Sequence, residues 1–429
     1  MSGIRFFLCI LLAFFAANHP LRAQEIERVK MHLKALCAPE MHGRGYVQTG
    51  DAVAAQYIAK AFLGAGLKPL KSNKRSFFQY FNFDINTFPA RASLSFGGQD
   101  LKTGEDFIVH AASRSGTGQQ LPLKSLSDSV LLSNDKTFLE KFLKEDLSQQ
   151  AILISEAQYK LLSEGSKNHD LFRKVITAPA LVVLAQKLTM TLSQEQYMPP
   201  TFIVLPVKMN VKASEISFTL DAKLIPSYRS QNVLGYLEGS SKSDSTVIFC
   251  AHYDHLGRLG TEAYFPGAND NAAGVAMLLE LIHYYKSNKP KFRTVFIAFG
   301  AEEVGLIGSE HYVQNPLLPL SNIKFVLNLD LVGTGDRGVT VVNATILPKQ
   351  FAQLQQINEQ KNYLSKISAR GPAANSDHYF FTLKEVPAFF FYLMGGIQAY
   401  HDVHDRAETL PLTEFKDFFE LLKDFVKSL

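Results

Sequence analysis

Imidazole and carboxylate side chains recur in this chain directly after short apolar runs. A His-x-Asp or a Glu-Glu pair means little when it occurs alone, but Asp330 lies inside an apolar run, where a buried carboxylate needs a partner. Five such strand ends or following loops together indicate one polar site. Its candidate residues are His252, Asp254, Asp270, Glu302, Glu303, Asp330, Tyr400, His401, His404 and Asp405.

The residue types in this set point to metal-assisted chemistry. Two imidazoles with three or four carboxylates and no thiolate suit zinc, with cobalt or manganese as alternatives. One ion needs about three protein ligands, whereas five ligands with one shared carboxylate suit two ions about 3.5 to 4 Å apart. In the Glu302-Glu303 pair, one glutamate can then bind metal while the other acts as general base on a water.

The apolar runs before these residues predict strands that alternate with helices. Strands are expected over 233–237, 246–251, 294–299, 325–332, 339–343 and 388–393, and helices over 271–286, 303–315, 348–361, 376–383 and 412–428. This alternation predicts a three-layer α/β/α sandwich on a mixed, largely parallel sheet. In such folds ligands bind beyond the carboxyl ends of the strands, which is where the polar residues fall.

The length of 429 residues favours two or three domains. Residues 1–23 have the features of a secretory signal peptide, with Arg5 before an apolar run of about 12 residues, too short to span a membrane. Residues 24–88 are expected to be a helical N-terminal part of the catalytic domain, 89–228 an inserted, smaller β-rich domain, and 229–429 the metal-binding core. The protein is therefore predicted to be exported to the periplasm or the medium, with no membrane attachment after signal cleavage.

The overall charge argues against a nucleic-acid partner. The formal net charge is +4, and removal of Arg5 and Arg22 with the signal peptide leaves +2, which is close to neutral. The mature chain keeps only Cys37 and Cys250, 213 residues apart, and we expect both thiols to be free.

Six segments of the chain together resemble a known family. AHYDH, GANDNAAG, AFGAEEVGLIGSEHY, NLDLVG, SDHYFF and AYHDVHD are similar in order and spacing to motifs of the secreted co-catalytic di-zinc aminopeptidases, metallopeptidase clan MH, family 28. That family also contains glutamate carboxypeptidases and glutaminyl cyclases. The resemblance is strong over 231–429 and weaker over 24–88, and the inserted segment faintly resembles a degenerate protease-associated domain.

The resemblance implies two bound zinc ions and a ligand for each position. His252 and Asp330 would bind one ion, Glu303 and His401 the other, and Asp270 would bridge them. Asp270 also lies at the mouth of a predicted helix, so an N-cap role is compatible with this assignment. The family has a cis peptide bond after the bridging aspartate, which predicts a cis Asp270–Asn271 bond.

The resemblance also assigns residues that act around the metals. Glu302 corresponds to the general base on the metal-bound water, and Tyr400 to a tyrosine that hydrogen-bonds the oxyanion. Asp254 would orient His252 through its second ring nitrogen.

Several neighbouring residues are less clearly assigned. The family's His-Thr-Pro-x-Asp motif reads HDVHD here, which leaves His404 as the rival of His401. Asp377 resembles an acid near the site and could instead cap a helix. His255 and His378 are expected to be structural.

The implied function is removal of N-terminal residues from peptides that have a free N-terminus. A glutaminyl cyclase or a carboxypeptidase on the same fold is the alternative. The Ala-Glu-Glu segment, the absence of Trp from the chain and Tyr400 itself argue against a cyclase. The complete ligand set argues against a non-catalytic relative that has lost its metals.

Overall fold

The structure is a computed structural model that describes residues 25–70, 76–128, 136–164, 169–210 and 213–429. The predicted signal peptide, residues 1–23, lies outside these ranges, so export stays a prediction. Among the described helices, none combines the length and the apolar character needed to cross a membrane.

The chain alternates strands and helices along most of its length. The strands are β1 (Lys68–Pro69), β2 (Phe78–Thr87), β3 (Ala92–Phe96), β4 (Gln99–Asp100), β5 (Phe107–Val109), β6 (Gly116–Ser125), β7 (Ala151–Ser155), β8 (Leu181–Leu184), β9 (Thr201–Val204), β10 (Glu215–Leu220), β11 (Lys223–Leu237), β12 (Thr246–His252), β13 (Arg258–Leu259), β14 (Ala263–Tyr264), β15 (Arg293–Phe299), β16 (Ile323–Leu329), β17 (Val339–Val342), β18 (Ile367–Ala369) and β19 (Ala388–Leu393). The helices are α1 (25–36), α2 (Gly50–Ala65), α3 (Lys136–Lys144), α4 (Glu156–Glu164), α5 (His169–Val175), α6 (Ala273–Ser287), α7 (Ile307–Gln314), α8 (Pro348–Lys361), α9 (His378–Leu383) and α10 (Phe415–Ser428).

The larger sheet positions the candidate site. Its strand order is β1-β11-β15-β12-β16-β19-β17-β18, with β2 paired to β11 outside this path. Neighbours among β15, β12, β16 and β19 are parallel, whereas β11 and β17 run antiparallel to their central neighbours. The carboxyl ends of four adjacent parallel strands therefore meet at one edge, and the predicted mixed, largely parallel sheet is confirmed.

Helices cover both faces of this sheet because successive side chains of a strand point to opposite faces. On β12, Val247 and Phe249 pack into one apolar cluster with α1, α2, α6 and α10, while Ile248 and Cys250 pack into another with α7 and α9. This arrangement confirms the α/β/α sandwich. Cys37 and Cys250 are both buried and free, as expected.

The prediction that residues 24–88 are helical is wrong for their last part. Residues 78–87 form β2, which pairs antiparallel with β11 over most of its length. Phe81, Phe83 and Ile85 are buried, and the residues between them are exposed, which is the period of a strand with one buried face. The β2–β11 pair runs from the larger sheet to a second sheet.

The second sheet lies between residues 92 and 220 and has eight strands in the order β4-β3-β10-β6-β7-β8-β9-β5. Its centre is parallel from β6 to β9, with α3, α4 and α5 in the connections. Its core also takes in residues of the catalytic part, among them Leu256, Phe265 and Val403. The inserted segment thus packs directly on the loops that surround the candidate site.

Candidate metal centre

The structure brings the predicted site residues together at the carboxyl edge of the larger sheet. His252 is the last residue of β12, Asp330 directly follows β16, and Glu302 and Glu303 follow β15. Asp270 lies in the turn before α6, and His401 lies in the loop after β19. These positions follow from the parallel sheet, because parallel neighbouring strands end at the same edge.

Asp270 lies between two groups of ligand-type atoms. One carboxylate oxygen, Oδ1, is 3.3 Å from His252 Nε2, which is itself 3.3 Å from Asp330 Oδ1. The other oxygen, Oδ2, is 3.1 Å from His401 Nε2, which is 3.2 Å from Glu303 Oε2. The arrangement is two triads that share one carboxylate.

These spacings fit bound metal ions. Tetrahedral zinc with ligands at about 2.0–2.1 Å places neighbouring ligand atoms about 3.3 Å apart. Asp330 Oδ1 is buried and has no hydrogen-bond donor among the described residues, which suits an oxygen that faces a cation. Burial and the charge of Asp270 raise the pKa of Glu303 to about 7, so a nearby cation would relieve a concentration of buried negative charge.

His255 supports Glu303 from behind. Its Nδ1 lies 2.6 Å from Glu303 Oε1, a hydrogen-bond distance that is too short for two ligands of one tetrahedral ion. The contact leaves Glu303 Oε2 for the His401 side of the site. His255 therefore orients a site carboxylate, a role that the sequence did not indicate.

Asp254 is buried and holds the backbone of both glutamates. Its carboxylate accepts hydrogen bonds from the Glu302 and Glu303 N–H groups at 3.1 and 3.3 Å, and from Tyr46 Oη at 2.9 Å. His252 Nδ1 is 3.2 Å from the backbone oxygen of Asp254 but 3.8 Å from its carboxylate oxygen Oδ1. The orientation of His252 thus comes from the main chain of Asp254, and the carboxylate orders the Glu302-Glu303 turn.

The turn that carries Asp270 differs from a capped helix start. Asp270 has φ −112° and ψ 95°, outside the helical region, and the Asp270–Asn271 peptide bond is cis, as the family resemblance predicts. The side chain of Asn271, not that of Asp270, accepts the Gly274 N–H at 2.9 Å. The expected N-cap role therefore belongs to Asn271, and the Asp270 carboxylate is left to the two triads.

Asp405 fixes the same turn from the opposite side. Its buried carboxylate accepts the N–H of Asn269 at 2.8 Å and the N–H of Asp270 at 3.0 Å. Burial raises the pKa of Asp405 to about 7 even though these hydrogen bonds favour the charged form. The sequence placed Asp405 in the last motif but did not indicate that it supports Asp270.

Arg44 is fully buried, and its guanidinium donates to main-chain oxygens of this region. It lies in the segment HGRGY, where Gly43 and Gly45 allow close approach to Gly257; a Cβ at Gly45 would lie 2.4 Å from the Gly257 Cα. The acceptors of its guanidinium are the carbonyl oxygens of Leu36, Tyr253, Pro266, Gly267 and Asp270, at 2.6 to 3.3 Å. One side chain thus joins the N-terminal segment, the end of β12 and the Asp270 turn.

Replacement of Arg44 by lysine should destabilise the protein. Lysine keeps the charge but offers three donors from one point in place of a planar fork of five N–H groups, so some buried carbonyls would lose their donor. Each unpaired buried group costs about 1–3 kcal/mol, so we expect a loss of about 2 kcal/mol or more, measured as a lower midpoint of thermal unfolding. Arg91→Lys is the control, since Arg91 forms an exposed pair with Asp221 and should change little. An equal midpoint for both variants would contradict this role of Arg44.

The inserted segment holds the His401 loop in place. His401 Nδ1 donates to the Met190 carbonyl at 2.9 Å, and the Met190 N–H donates to the His401 carbonyl at 2.9 Å. Lys187 Nζ also donates to the carbonyl of Gln398 at 3.0 Å. The ring nitrogen of His401 that faces Asp270 is therefore set by a contact from the second sheet, which no local sequence signal could reveal.

Of the two histidines in HDVHD, only His401 reaches the site. His404 is exposed, and its backbone N–H donates a hydrogen bond to the carboxylate of Asp402. Tyr400 stacks on the His401 ring, with centroids 4.0 Å apart and planes 15° from parallel. Tyr400 is 41% exposed and lies at the rim of the cavity over the two triads.

A cavity of about 530 Å³ opens over the two triads. Besides His252, Asp270, Glu302, Glu303, Asp330 and His401, it is lined by Leu306, Leu331, Arg370, Asn375, Phe390, Tyr392 and Tyr400, among others. Within the described part of the chain, the carboxylate of Glu302 forms no hydrogen bond or ion pair. Burial, reinforced by the charges of Glu303 and Asp377, raises the pKa of Glu302 well above its ordinary value although His252 opposes this.

Comparison with known proteins agrees with this geometry. Residues 232–426 match the model of peptidase family M28. The aminopeptidase YwaD of Bacillus subtilis is 30% identical over 240 residues, which are 54% of this chain and 49% of that protein. A probable zinc metalloprotease of Pyricularia oryzae is 34% identical over 140 residues, 32% of this chain and 26% of the relative. The matches thus span half or less of these relatives' own length.

Solved structures share the fold over nearly the whole chain. A zinc aminopeptidase from Bacillus subtilis superposes with a TM-score of 0.69 at 21% identity, covering 94% of each chain. A peptidase M28 precursor from Shewanella amazonensis gives 0.67 at 14% identity, covering 96% of each chain. Both include the region of the second sheet, so the inserted segment is part of the shared architecture. The part of the chain that matches peptidase family M28, residues 232–426, thus carries every predicted residue of the metal centre.

Proposed function

We propose that this protein is a zinc aminopeptidase that hydrolyses the first peptide bond of substrates with a free N-terminus. The observation that carries the proposal is the pair of triads that share Asp270, at spacings suited to two metal ions. Family membership and the names of the relatives, an aminopeptidase and a zinc metalloprotease, support the same activity. Export to the periplasm or the medium is part of the proposal and rests on residues 1–23 alone.

The metals would be held by five side chains. His252 and Asp330 would bind one zinc, Glu303 and His401 the other, and Asp270 would bridge both; cobalt or manganese suit the same donors. Bound there, the ions would supply Lewis acidity for the scissile carbonyl and a lower pKa for the attacking water. Asp405, Arg44 and His255 would keep the ligand atoms in position, as partners of ligands do in other metal sites.

The proton transfer is assigned to Glu302. Its carboxylate lines the cavity beside both triads and has no hydrogen-bond partner among the described residues. Its backbone N–H donates to the carboxylate of Asp254, which fixes the position of the residue. We assign it as general base for the attacking water and then as general acid for the leaving amine. A positioned group of this kind contributes about 100- to 10,000-fold to the rate.

The remaining groups select and orient the substrate. The free amine of the substrate would bind at this end of the cavity, to a metal ion or to the carboxylate of Glu302. Binding of the amine there would position the next carbonyl for attack. Tyr400, at the rim beside His401, is assigned to donate a hydrogen bond to the oxygen on which charge develops.

A peptide panel tests the proposal. Peptides with a free amine should be cleaved at the first bond, and N-acetylation should lower kcat/KM by about 30-fold or more, since loss of one partner of a buried charged contact costs about 2–5 kcal/mol. Amidation of the C-terminus of a peptide of four or more residues is the matched control and should matter little. A chelator should abolish the activity, and added zinc should restore it.

Other outcomes of the same panel would assign other chemistry. Release of a C-terminal residue, or efficient cleavage of acetylated peptides, would favour a carboxypeptidase. Cyclisation of N-terminal glutaminyl peptides with one tightly bound zinc would favour a glutaminyl cyclase. Either result would contradict the aminopeptidase assignment.

A further inference from the structure

A second cavity of about 560 Å³ adjoins the cavity over the metal centre. Leu331, Tyr392 and Tyr400 line both, so the two spaces meet at a wall of two aromatic rings and one aliphatic side chain. A substrate bound at the metal centre therefore lies next to the second cavity.

Three cations line the two cavities. Arg337 and Lys366 line the second cavity, and Arg370 lines the cavity over the metal centre, where two bound zinc ions would balance the charge of the four carboxylates. We call these three cations the basic wall. Among the described residues that line the second cavity there is no Asp or Glu. The carboxylates of Asp336 and Asp402 lie beside this lining, against Gly395 and the Tyr400 N–H respectively.

The charges of the basic wall are available to a ligand. All three side chains are exposed, and within the described ranges none of them forms an ion pair. Arg370 is held in place by a hydrogen bond of 3.2 Å from Nη1 to Tyr392 Oη, which leaves its other N–H groups free to point elsewhere. A fixed guanidinium with open donors, next to an apolar wall, is suited to a carboxylate.

We propose that the basic wall binds a carboxylate of the peptide substrate, so that the enzyme prefers substrates with an acidic group near the scissile bond. The proposal rests on the proposed aminopeptidase function and names a substrate class for it. The carboxylate has two possible sources, the side chain of an acidic first residue or the free C-terminus of a dipeptide. In both cases the amine lies at the metal centre and the carboxylate at the basic wall.

Two matched substrate pairs separate these sources. Aspartyl-alanine amide and asparaginyl-alanine amide differ only in the first side chain, whereas alanyl-alanine and alanyl-alanine amide differ only at the C-terminus. In the pair that matches the true source, the acidic member should have a kcat/KM at least about tenfold higher, as expected for a charge-assisted contact. The preference should also decrease with added salt, because the wall is exposed.

Variants of the wall test which residues cause the preference. Arg370→Gln should lower the acid-to-amide ratio by about tenfold and Arg337→Gln by a smaller factor, because Arg370 is the one residue of the basic wall that lines the cavity over the metal centre. The ratio cancels effects on catalysis that both substrates share. Lys289→Gln is the control, since Lys289 is exposed in the turn before β15, at the opposite edge of the sheet, and should leave the ratio unchanged. Binding of the same pairs to Glu302→Gln, measured by calorimetry, gives a readout without turnover.

The outcomes distinguish the inference from the function on which it rests. Suppose that alanyl-alanine amide is cleaved but the acid-to-amide ratio of kcat/KM is near one in both pairs, or is unaffected by Arg370→Gln and Arg337→Gln. The role of the basic wall would then be contradicted, and the aminopeptidase function would be supported. Failure to cleave any of the four peptides in the presence of zinc would overturn the aminopeptidase and the inference together.

Discussion

Glu302→Gln should lower kcat by about 100- to 10,000-fold while the protein keeps its full content of zinc. The reason is that Glu302 and Glu303, although adjacent, have different surroundings. Glu303 Oε2 lies 3.2 Å from His401 Nε2, and Oε1 lies 2.6 Å from His255 Nδ1. The Glu302 carboxylate has no such partner in the described structure and faces the cavity. The amide of glutamine cannot take up a proton, so catalysis is lost without the loss of a ligand.

Glu303→Gln should have the complementary effect. It replaces a charged ligand by a neutral amide and removes the acceptor of His255, so one zinc should be lost on dialysis, with activity partly restored at high zinc. Elemental analysis and steady-state kinetics distinguish the two variants, and circular dichroism verifies that both are folded. Glu359→Gln, exposed on α8, is the control and should change neither quantity. If Glu302→Gln and Glu303→Gln lose metal and rate in parallel, the division of roles is incorrect.

The bounds of the helices and strands in the central part of the larger sheet are predicted from the sequence more accurately than those of β2, which lies outside it. Helix α8 and strand β19 begin and end where the pattern indicated, because strongly apolar or amphipathic runs determine both the element and its packing. Strand β2 was missed although the alternation of Phe81, Phe83 and Ile85 with Asn82 and Asp84 has the period of a strand. The helical pattern of α2 ends at Ala65, and the period of two residues between Phe81 and Ile85 indicates a strand in the part of 24–88 that follows.

Within the candidate site, the residues at strand ends could be identified because a parallel sheet gathers them at one edge. The groups that hold them could not, because their contacts are with main-chain atoms far away in the sequence. Arg44 donates to carbonyls more than 200 residues away, and the partner of His401 is a carbonyl of Met190 in the second sheet. Every residue type has a backbone carbonyl, so a sequence motif cannot identify the one that accepts a given hydrogen bond. The glycines on either side of Arg44 were the one local sign of a crowded position.

The second sheet also has a consequence for the metals. The Met190 carbonyl fixes the ring of His401, and the apolar core of the second sheet includes Val403 in the same loop. The catalytic part alone would therefore present His252, Asp270 and Asp330 from rigid elements but His401 from a loop without its support. The half of the site that contains His401 thus depends on a direct hydrogen bond from the inserted segment, whereas the described hydrogen bond of His252 is to the main chain of Asp254.

Asp270→Asn should remove more metal than any other single conservative change. Both of its oxygens take part, with Oδ1 3.3 Å from His252 Nε2 and Oδ2 3.1 Å from His401 Nε2. An asparagine retains the shape but presents one N–H₂ group that cannot bind a cation, and it removes the only charge shared by the two triads. The zinc content should fall below one ion per chain, and kcat/KM should fall by about 1,000-fold or more, since metal ions supply several kcal/mol of transition-state stabilisation.

Two further variants serve as comparisons for the zinc loss expected of Asp270→Asn. Asp330→Asn removes an oxygen from the His252 triad alone, so one zinc should remain bound beside Glu303 and His401. Asp405→Asn keeps every ligand but weakens the support of the Asp270 turn, and should lower zinc affinity by about 10- to 100-fold, the usual effect of altering the partner of a ligand. Titration with a zinc-buffered indicator measures all three. A bridging role for Asp270 predicts the order Asp270→Asn, then Asp330→Asn, then Asp405→Asn in metal lost, and equal losses for Asp270→Asn and Asp330→Asn would show that Asp270 serves one ion only.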